Sequence, residues 1–466
     1  MGHLYEYDRS FLKKFSVKHE NSIPKSSVRN KTIWTIAYPI IFGNLAQTLI
    51  TLTDTAFLGR VSAIALGASM MAGIYYYVFS TLAWGFAMGI QIIVARRLGE
   101  GRLERIGVIF EHGLVFVLLL SVSLFLLQHY FTADILEKIV KSPNIYSKAM
   151  EYMDYRHYGI IFVCFNFLFR ALYIGLSNTK VISYTTAIMA AVNIFLDYAL
   201  IFGKLGFPEM GVGGAALASV CAEISALLFF IGYTLIRLPL KTYMLFYFHR
   251  LEGWLIRSIL KLAFPTMIQK LLSFGTWFIF FALVEHMGEG PIAESGIVRS
   301  VYMLIMIPVF AFGATANTLT SRLIGEGKQA EVMPTVFKTI GQGLLAILPV
   351  LLCCLFFPHL VLSVYTDDLA LATASIPSLL VVCGASIAMT FGMPLFEAVS
   401  GTGNTTYALI LETLVLIVYS SSIWFFASYV GTHVAWVWTS EFTYGALIGL
   451  VSWLYLRFTH WQRKKI

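Results

Sequence analysis

The sequence predicts an all-α polytopic membrane protein, with twelve transmembrane helices in two six-helix lobes related by a pseudo-two-fold axis along the membrane normal. Three observations lead there. Charged residues make up 12% of the 466-residue chain and hydrophobic residues 58%, whereas soluble domains carry about 25% charged residues. Apolar runs long enough to cross a bilayer, about 20 residues each, recur along the whole chain. Landmarks in the first half return at one fixed offset in the second.

The apolar runs fall at residues 32–59, 70–95, 106–130, 151–176, 181–203, 211–238, 254–287, 292–321, 332–358, 370–400, 406–429 and 434–458. They divide the chain into a basic tail (1–31), an N-terminal lobe (32–238), a linker (239–253), a C-terminal lobe (254–459) and a short tail (460–466). The first 31 residues hold no apolar core of signal-peptide length, so they read as a cytoplasmic tail. An even number of spans puts both termini on one side. Most of the 33 basic residues gather in the tails, in the 2–3 loop (Arg96, Arg97, Arg102, Arg105), in the linker region (Arg237, Lys241, Arg250) and after span 8 (Arg322, Lys328). Positive charge stays on the cytoplasmic side, so both termini are expected inside and the protein in the inner membrane. The net charge of +8 is then an orientation signal and calls for no nucleic-acid partner. The five cysteines all lie in apolar spans without metal or redox spacing and read as packing residues.

The repeat has three landmarks. "AYPIIFGNLAQ" with Pro39 opens span 1, and "AFPTMIQKLLS" with Pro265 opens span 7. Gly99-Glu100-Gly101 follows span 2 as Gly325-Glu326-Gly327 follows span 8. Gly175 with Asn178-Thr179 follows span 4 as Gly401 with Asn404-Thr405 follows span 10. Each pair is 226 residues apart, so the chain reads as a duplication. Transporters built from such halves place substrate between them and alternate access by rocking one half against the other.

Charges within apolar spans cost about 2.5–3.5 kcal/mol on insertion scales and point to function. "VNIFLDYALIFG" carries Asp197 with no adjacent cation, and "TLITLTDTAFLGR" carries Asp54. Their counterparts at the repeat offset are Ile423 and Phe280, so these acids belong to the first half alone. Both lie near the outer ends of spans 1 and 5, roughly 8–9 Å in at 1.5 Å per residue, and are expected to share one cavity. Asn193, one turn before Asp197, can donate to the carboxylate or accept from the acid. Burial disfavours the charged form of a carboxyl, so this group is suited to taking up a proton outside and releasing it inside. The coupling ion is expected to be a proton, with sodium held by Asp54, Asp197 and Asn193, and by Ser219 nearby, as the alternative. Glu223 either faces the same cavity or ties helices together. Arg156 and Arg170 either balance the acids or, for Arg156, reach outward. Glu397, Glu412 and Glu441 either attract a cationic substrate or serve helix packing. The abundant Phe, Tyr and Met residues suit an adaptable apolar cleft.

The two halves, Pro39 with Asp54 fifteen residues later, "NIFLD" in span 5 and "GVGGAALAS" opening span 6 together resemble the multidrug and toxic compound extrusion (MATE) family, in its DinF-like branch. The resemblance covers the chain from about residue 32. It implies export of small cationic or lipophilic substrates by a monomer without cofactor, in exchange for protons or sodium, with Asp54 and Asp197 as coupling acids and Asn193 beside them. The NorM-like branch carries an acid in span 7, eight residues after the proline; here that position is Ser273. The departure favours coupling in the first lobe. Lipid and lipid-linked flippases share the fold and are the alternative function. A diaspartyl membrane protease is disfavoured, because neither aspartate lies in a Tyr-Asp or Gly-x-Gly-Asp context. No phosphate-binding loop of an ATP-driven pump occurs.

Overall fold

The computed structural model describes residues 28–430 and 433–463. Most of the expected N-terminal tail and the end of the C-terminal one lie outside the described residues. The first half contains α1 (Asn30–Val61), α2 (Ala63–Gly99), α3 (Glu104–Ile139), α4 (Pro143–Arg156), α5 (Gly159–Gly175), α6 (Lys180–Ile201) and α7 (Gly211–Arg237). The second half contains α8 (Gly253–Glu285), α9 (Glu289–Gly325), α10 (Val332–Phe356), α11 (Leu369–Gly401), α12 (Thr405–Phe425) and α13 (Ala435–Phe458). Among the described residues ten helices are long and apolar enough to cross a membrane, and α4 with α5 forms an eleventh span bent by 55°. The 24-residue α13, which is not among these, occupies the place of the twelfth expected span.

The fourth span departs from expectation. A single run at 151–176 was expected; the structure begins the span at Pro143, in the first turn of α4 behind the Ser142 cap, and breaks it after Arg156. The cause is a distant partner. The Arg156 guanidinium passes through the break, and a Cβ on Gly159 would lie 2.2 Å from Arg156 Nη1 and 2.5 Å from Glu223 Oε2.

The lobes meet along the C-terminal parts of α2 and α9. From Phe86 to Arg96 every residue of α2 is buried, whereas Met70, Met71 and Ile74 near its start are exposed. A Cβ on Gly99 would lie 2.1 Å from the Arg322 backbone oxygen, and one on Gly325 would lie 2.4 Å from the Arg96 backbone oxygen. These two contacts are images of each other at the 226-residue offset. They express the pseudo-two-fold axis in atoms. Gln91 Nε2 faces its own repeat mate, Asn317 Oδ1, at 3.5 Å and donates to Thr318 Oγ1 at 3.1 Å. Such buried hydrogen bonds matter where no water can replace them. Arg96 breaks the symmetry. It donates through Nε to Ser321 O at 3.0 Å and through Nη2 to Thr402 O at 3.0 Å, while its mate Arg322 pairs with Glu326 on its own helix. The seam is therefore bolted at the end of the molecule where the basic loops lie.

The linker is fastened at the same end. Glu111 accepts the backbone N–H groups of Phe248 and His249 at 3.1 and 2.8 Å, and Glu252 N–H donates to His112 Nε2 at 2.8 Å. A Cβ on Gly107 would lie 2.0 Å from Met244 O. Met244, Phe246 and Phe248 take left-handed φ angles of 53°, 63° and 50°, a strained conformation for bulky residues.

The seam makes a prediction. Gly99→Ala and Gly325→Ala each force backbone apart and are expected to lower stability by about 1–3 kcal/mol, the usual cost of overpacking. Gly73→Ala, also in α2 but with nothing within 4 Å of the new Cβ, is expected to be neutral or stabilising. Thermal unfolding of the purified variants in detergent reads the difference; equal stability of all three would contradict the backbone contact.

Candidate functional site

The first functional arrangement is a clasp between α1 and α6. Pro39 has no N–H, so the carbonyl of Thr35 four residues earlier loses its helical donor. Helix α1 nevertheless continues from Asn30 to Val61. Thr179, at the start of α6, supplies the missing donor: its Oγ1 bonds Thr35 O and Ile36 O, both at 3.0 Å. Ser183 Oγ donates to Pro39 O at 3.1 Å. At Gly43 the helices approach closely, with Ile182 Cγ2 3.1 Å from a Cβ built there. The helices then run in parallel register, so the next residues to meet are Asp54 and the pair Asn193 and Asp197.

That meeting is what the sequence led one to expect. Asn193 and Asp197 are fully buried and Asp54 is half-buried. The three side chains sit face to face. No hydrogen bond joins them with both carboxyls ionised: Asp54 Oδ1, both carboxyl oxygens of Asp197 and both amide atoms of Asn193 are buried without a partner. Ser219 makes no hydrogen bond among the described residues and does not join the trio.

Glu223 and Arg156 form a bidentate ion pair with N–O distances of 2.6 and 2.9 Å. The guanidinium carbon lies 3.7 Å from the centroid of the Tyr76 ring. Asn166 Nδ2 donates to the Glu223 backbone oxygen at 2.9 Å. Glu223 thus ties α2, the bent span and α7 together, and Arg156 points inward to it. Tyr152 lies within electrostatic reach of this pair and of both aspartates. Arg170 balances no acid: it donates to Asn44 Oδ1 on α1 at 2.7 Å.

The second arrangement lies at the seam, mostly in the C-terminal half. A cavity of about 200 Å³ is walled by aromatic and methionine side chains and by Lys270, Glu412 and Glu441, with Tyr77, Thr81 and Trp84 contributed from α2. Glu441 is caged by neutral donors: Trp277 Nε1 at 3.2 Å, Tyr302 Oη at 2.8 Å and Tyr419 Oη. Glu412 Oε1 accepts from Ser273 Oγ at 2.5 Å and Tyr444 Oη at 3.2 Å, while its Oε2 is buried without a partner. An acid therefore does stand beside position 273, but it arrives from α12. Glu397 accepts from Asn317 Nδ2 at 3.1 Å. Sequence reasoning passed over Lys270, Trp84 and the tyrosine cage. Lys270 sits in an apolar run, and the rule that singled out Asp197 would have found it.

Two six-helix membrane lobes in tandem, meeting at one end and holding buried charges, have the build of a membrane transporter. Residues 39–199 and 265–427 match MatE, and the chain belongs to that family. Its relatives include a probable multidrug resistance protein NorM from Thermotoga maritima, 27% identical over 411 residues and aligned over 84% of each chain. The probable multidrug resistance protein YoeA from Bacillus subtilis is 24% identical over 71% of this chain and 72% of its own. Among solved structures, an outward-facing multidrug resistance MATE family transporter of the MOP superfamily superposes with TM-score 0.84 at 20% identity, covering 92% of this chain and 95% of its own. A MOP superfamily transporter from Pyrococcus furiosus, described as having a binding pocket of reverse polarity, gives TM-score 0.84 at 21% identity over the same shares. These structural likenesses carry the fold.

The ion pair makes a prediction. Arg156→Gln or Glu223→Gln leaves a buried charge alone and is expected to cost about 3–5 kcal/mol, with the double replacement costing less than the sum of the two. Detergent unfolding of the three variants measures it, and single variants as stable as the parent would show that the pair carries no structural weight.

Proposed function

We propose that the chain is a proton-coupled secondary exporter of small cationic or lipophilic molecules. The observation that carries this reading is the meeting of Asp54, Asp197 and Asn193 at the outer end of the α1–α6 clasp, with their oxygens unpaired. Two ionised carboxylates in contact repel each other. One proton placed between them turns repulsion into a hydrogen bond and leaves Asn193 free to bond the other oxygen. Sodium held by the same three side chains is the alternative reading. The relatives' names as multidrug resistance proteins support a drug-like substrate.

Helix α1 is suited to pass the proton's effect across the seam. Trp34 Nε1 donates to Gln342 Oε1 of α10 at 2.7 Å, and its ring packs edge-on against Phe312 of α9 at 5.2 Å. A change in how Asp54 meets Asp197 rotates or bends α1 about Pro39, where the Thr35 carbonyl has lost its helical donor and is held by the Thr179 hydroxyl instead. That movement reaches the C-terminal lobe through Trp34. We take residues 32–238 and 254–459 as the rocking lobes and 239–253 as the linker between them, with the tails at 1–31 and 460–466 cytoplasmic and the protein in the inner membrane. The bolted end of the seam is then the cytoplasmic end, and this conformation faces outward. Coupling in the first lobe, together with Ser273 on α8, supports a DinF-like reading of the chain.

Asp197→Asn keeps shape but cannot titrate. The variant is expected to insert normally and to lose nearly all efflux of a fluorescent cation such as ethidium from whole cells. Gln at Glu397, Glu412 or Glu441 is expected to alter apparent substrate affinity while keeping ion dependence. If those replacements abolish coupling and Asp54→Asn spares it, the coupling lies in the other lobe.

A further inference from the structure

Lys270 lies in the middle of α8 with its side chain 12% exposed. Its Nζ is 3.7 Å from Glu397 Oε1 and 4.8 Å from the centroid of the Trp84 ring. It makes no hydrogen bond among the described residues. In the same cavity Glu412 Oε2 is a buried acceptor with no donor. A cation short of acceptors and an acid short of a donor thus share one wall without meeting. The surrounding surface is what an organic cation prefers: aromatic faces from Trp84 and Trp277, and polarisable sulfur from Met306 and Met393.

We propose that Lys270 is a tethered stand-in for the substrate. An organic cation enters the cavity by displacing the Lys270 ammonium from Trp84 and Glu397, and it anchors on Glu412 Oε2. This makes Lys270 a specificity-determining residue, and the inference rests on the cationic-substrate reading above. It also has a consequence for access. Trp84 and Gln91 belong to α2, Asn317 to α9, Glu397 to α11 and Lys270 to α8. The contacts Trp84–Lys270, Lys270–Glu397, Glu397–Asn317 and Asn317–Gln91 close a ring that crosses between the lobes and back. A cation that takes the place of Lys270 opens this ring at Trp84–Lys270, one of its two lobe-crossing contacts, so occupancy of the cavity loosens the seam beneath it.

The test is direct binding to the purified full chain in detergent, with tetraphenylphosphonium as the organic cation and triphenylphosphine oxide as a neutral relative. Lys270→Gln is expected to tighten tetraphenylphosphonium binding on the order of tenfold by removing the internal competitor, and to leave the neutral probe unchanged. Lys270→Arg is expected to bind as the parent does, and Glu412→Gln about tenfold more weakly. Should Lys270→Gln not fold, Lys270→Met serves the same comparison. Unchanged or weaker cation binding without the lysine charge would overturn the stand-in role. So would tetraphenylborate binding that is lost in Lys270→Gln, since Lys270 would then be an anion anchor. The export reading fails separately: ethidium efflux that persists in Asp197→Asn sinks it whatever Lys270 does.

Discussion

The contact between Gly99 and Arg322, and its image between Gly325 and Arg96, brings the backbones of α2 and α9 together with no room for a side chain, and the rest of the molecule is arranged around it. Because the lobes touch there, α2 is buried from Phe86 to Arg96 and the inter-lobe cavity has a floor. The seam continues along α2 against α8, where a Cβ on Gly85 would lie 2.5 Å from Met267 Cα and Thr266 Oγ1 donates to Gly85 O at 2.7 Å. A bilayer gives no hydrophobic drive for helices to associate, so close packing of small residues and internal hydrogen bonds must hold them. Arg96, Gln91 and Ser321 provide those bonds in the same few turns.

Around a nearly symmetric backbone the charges are distributed asymmetrically. The first lobe keeps Asp54 and Asp197 beside each other and Asn193 without a hydrogen bond, while its buried acids Glu223 and Glu111 are held by Arg156 and by the linker backbone. The second lobe keeps Glu397, Glu412 and Glu441 at positions with no acidic counterpart in the first. Glu441 is satisfied by three donors, Glu397 is held by Asn317, and Glu412 retains one bare oxygen. An acid that is fully hydrogen-bonded fixes structure, and one that is not is available to a proton or a ligand. By that criterion the Asp54–Asp197 pair, Glu412 and, on α9, Glu294 are the reactive points among the described residues, and the first two lie in different lobes joined through α1 and the seam.

The sequence made the repeat, the span count and the two aspartates legible, because a fixed offset and a lone charge in an apolar run are local signals. The bend after Arg156 was not legible: its cause, Glu223, is 67 residues away. The Thr179 bond that repairs α1 at Pro39 was hidden for the same reason. Ser273 was read as the loss of an acid, yet α12 delivers Glu412 to the same place, which only the packing of α8 against α12 reveals. Lys270 is a different case. Its signal, a lone charge in an apolar run, was as local as that of Asp197.

The central claim is that the energy stored in a proton gradient enters through the Asp54–Asp197 pair. Efflux from proteoliposomes under an imposed gradient of one ion at a time tests it most directly. The account predicts substrate movement driven by a pH gradient without sodium, and none driven by a sodium gradient at equal pH on both sides. Transport under the sodium gradient alone, and none under the pH gradient, would contradict it and leave the same three side chains as a sodium site.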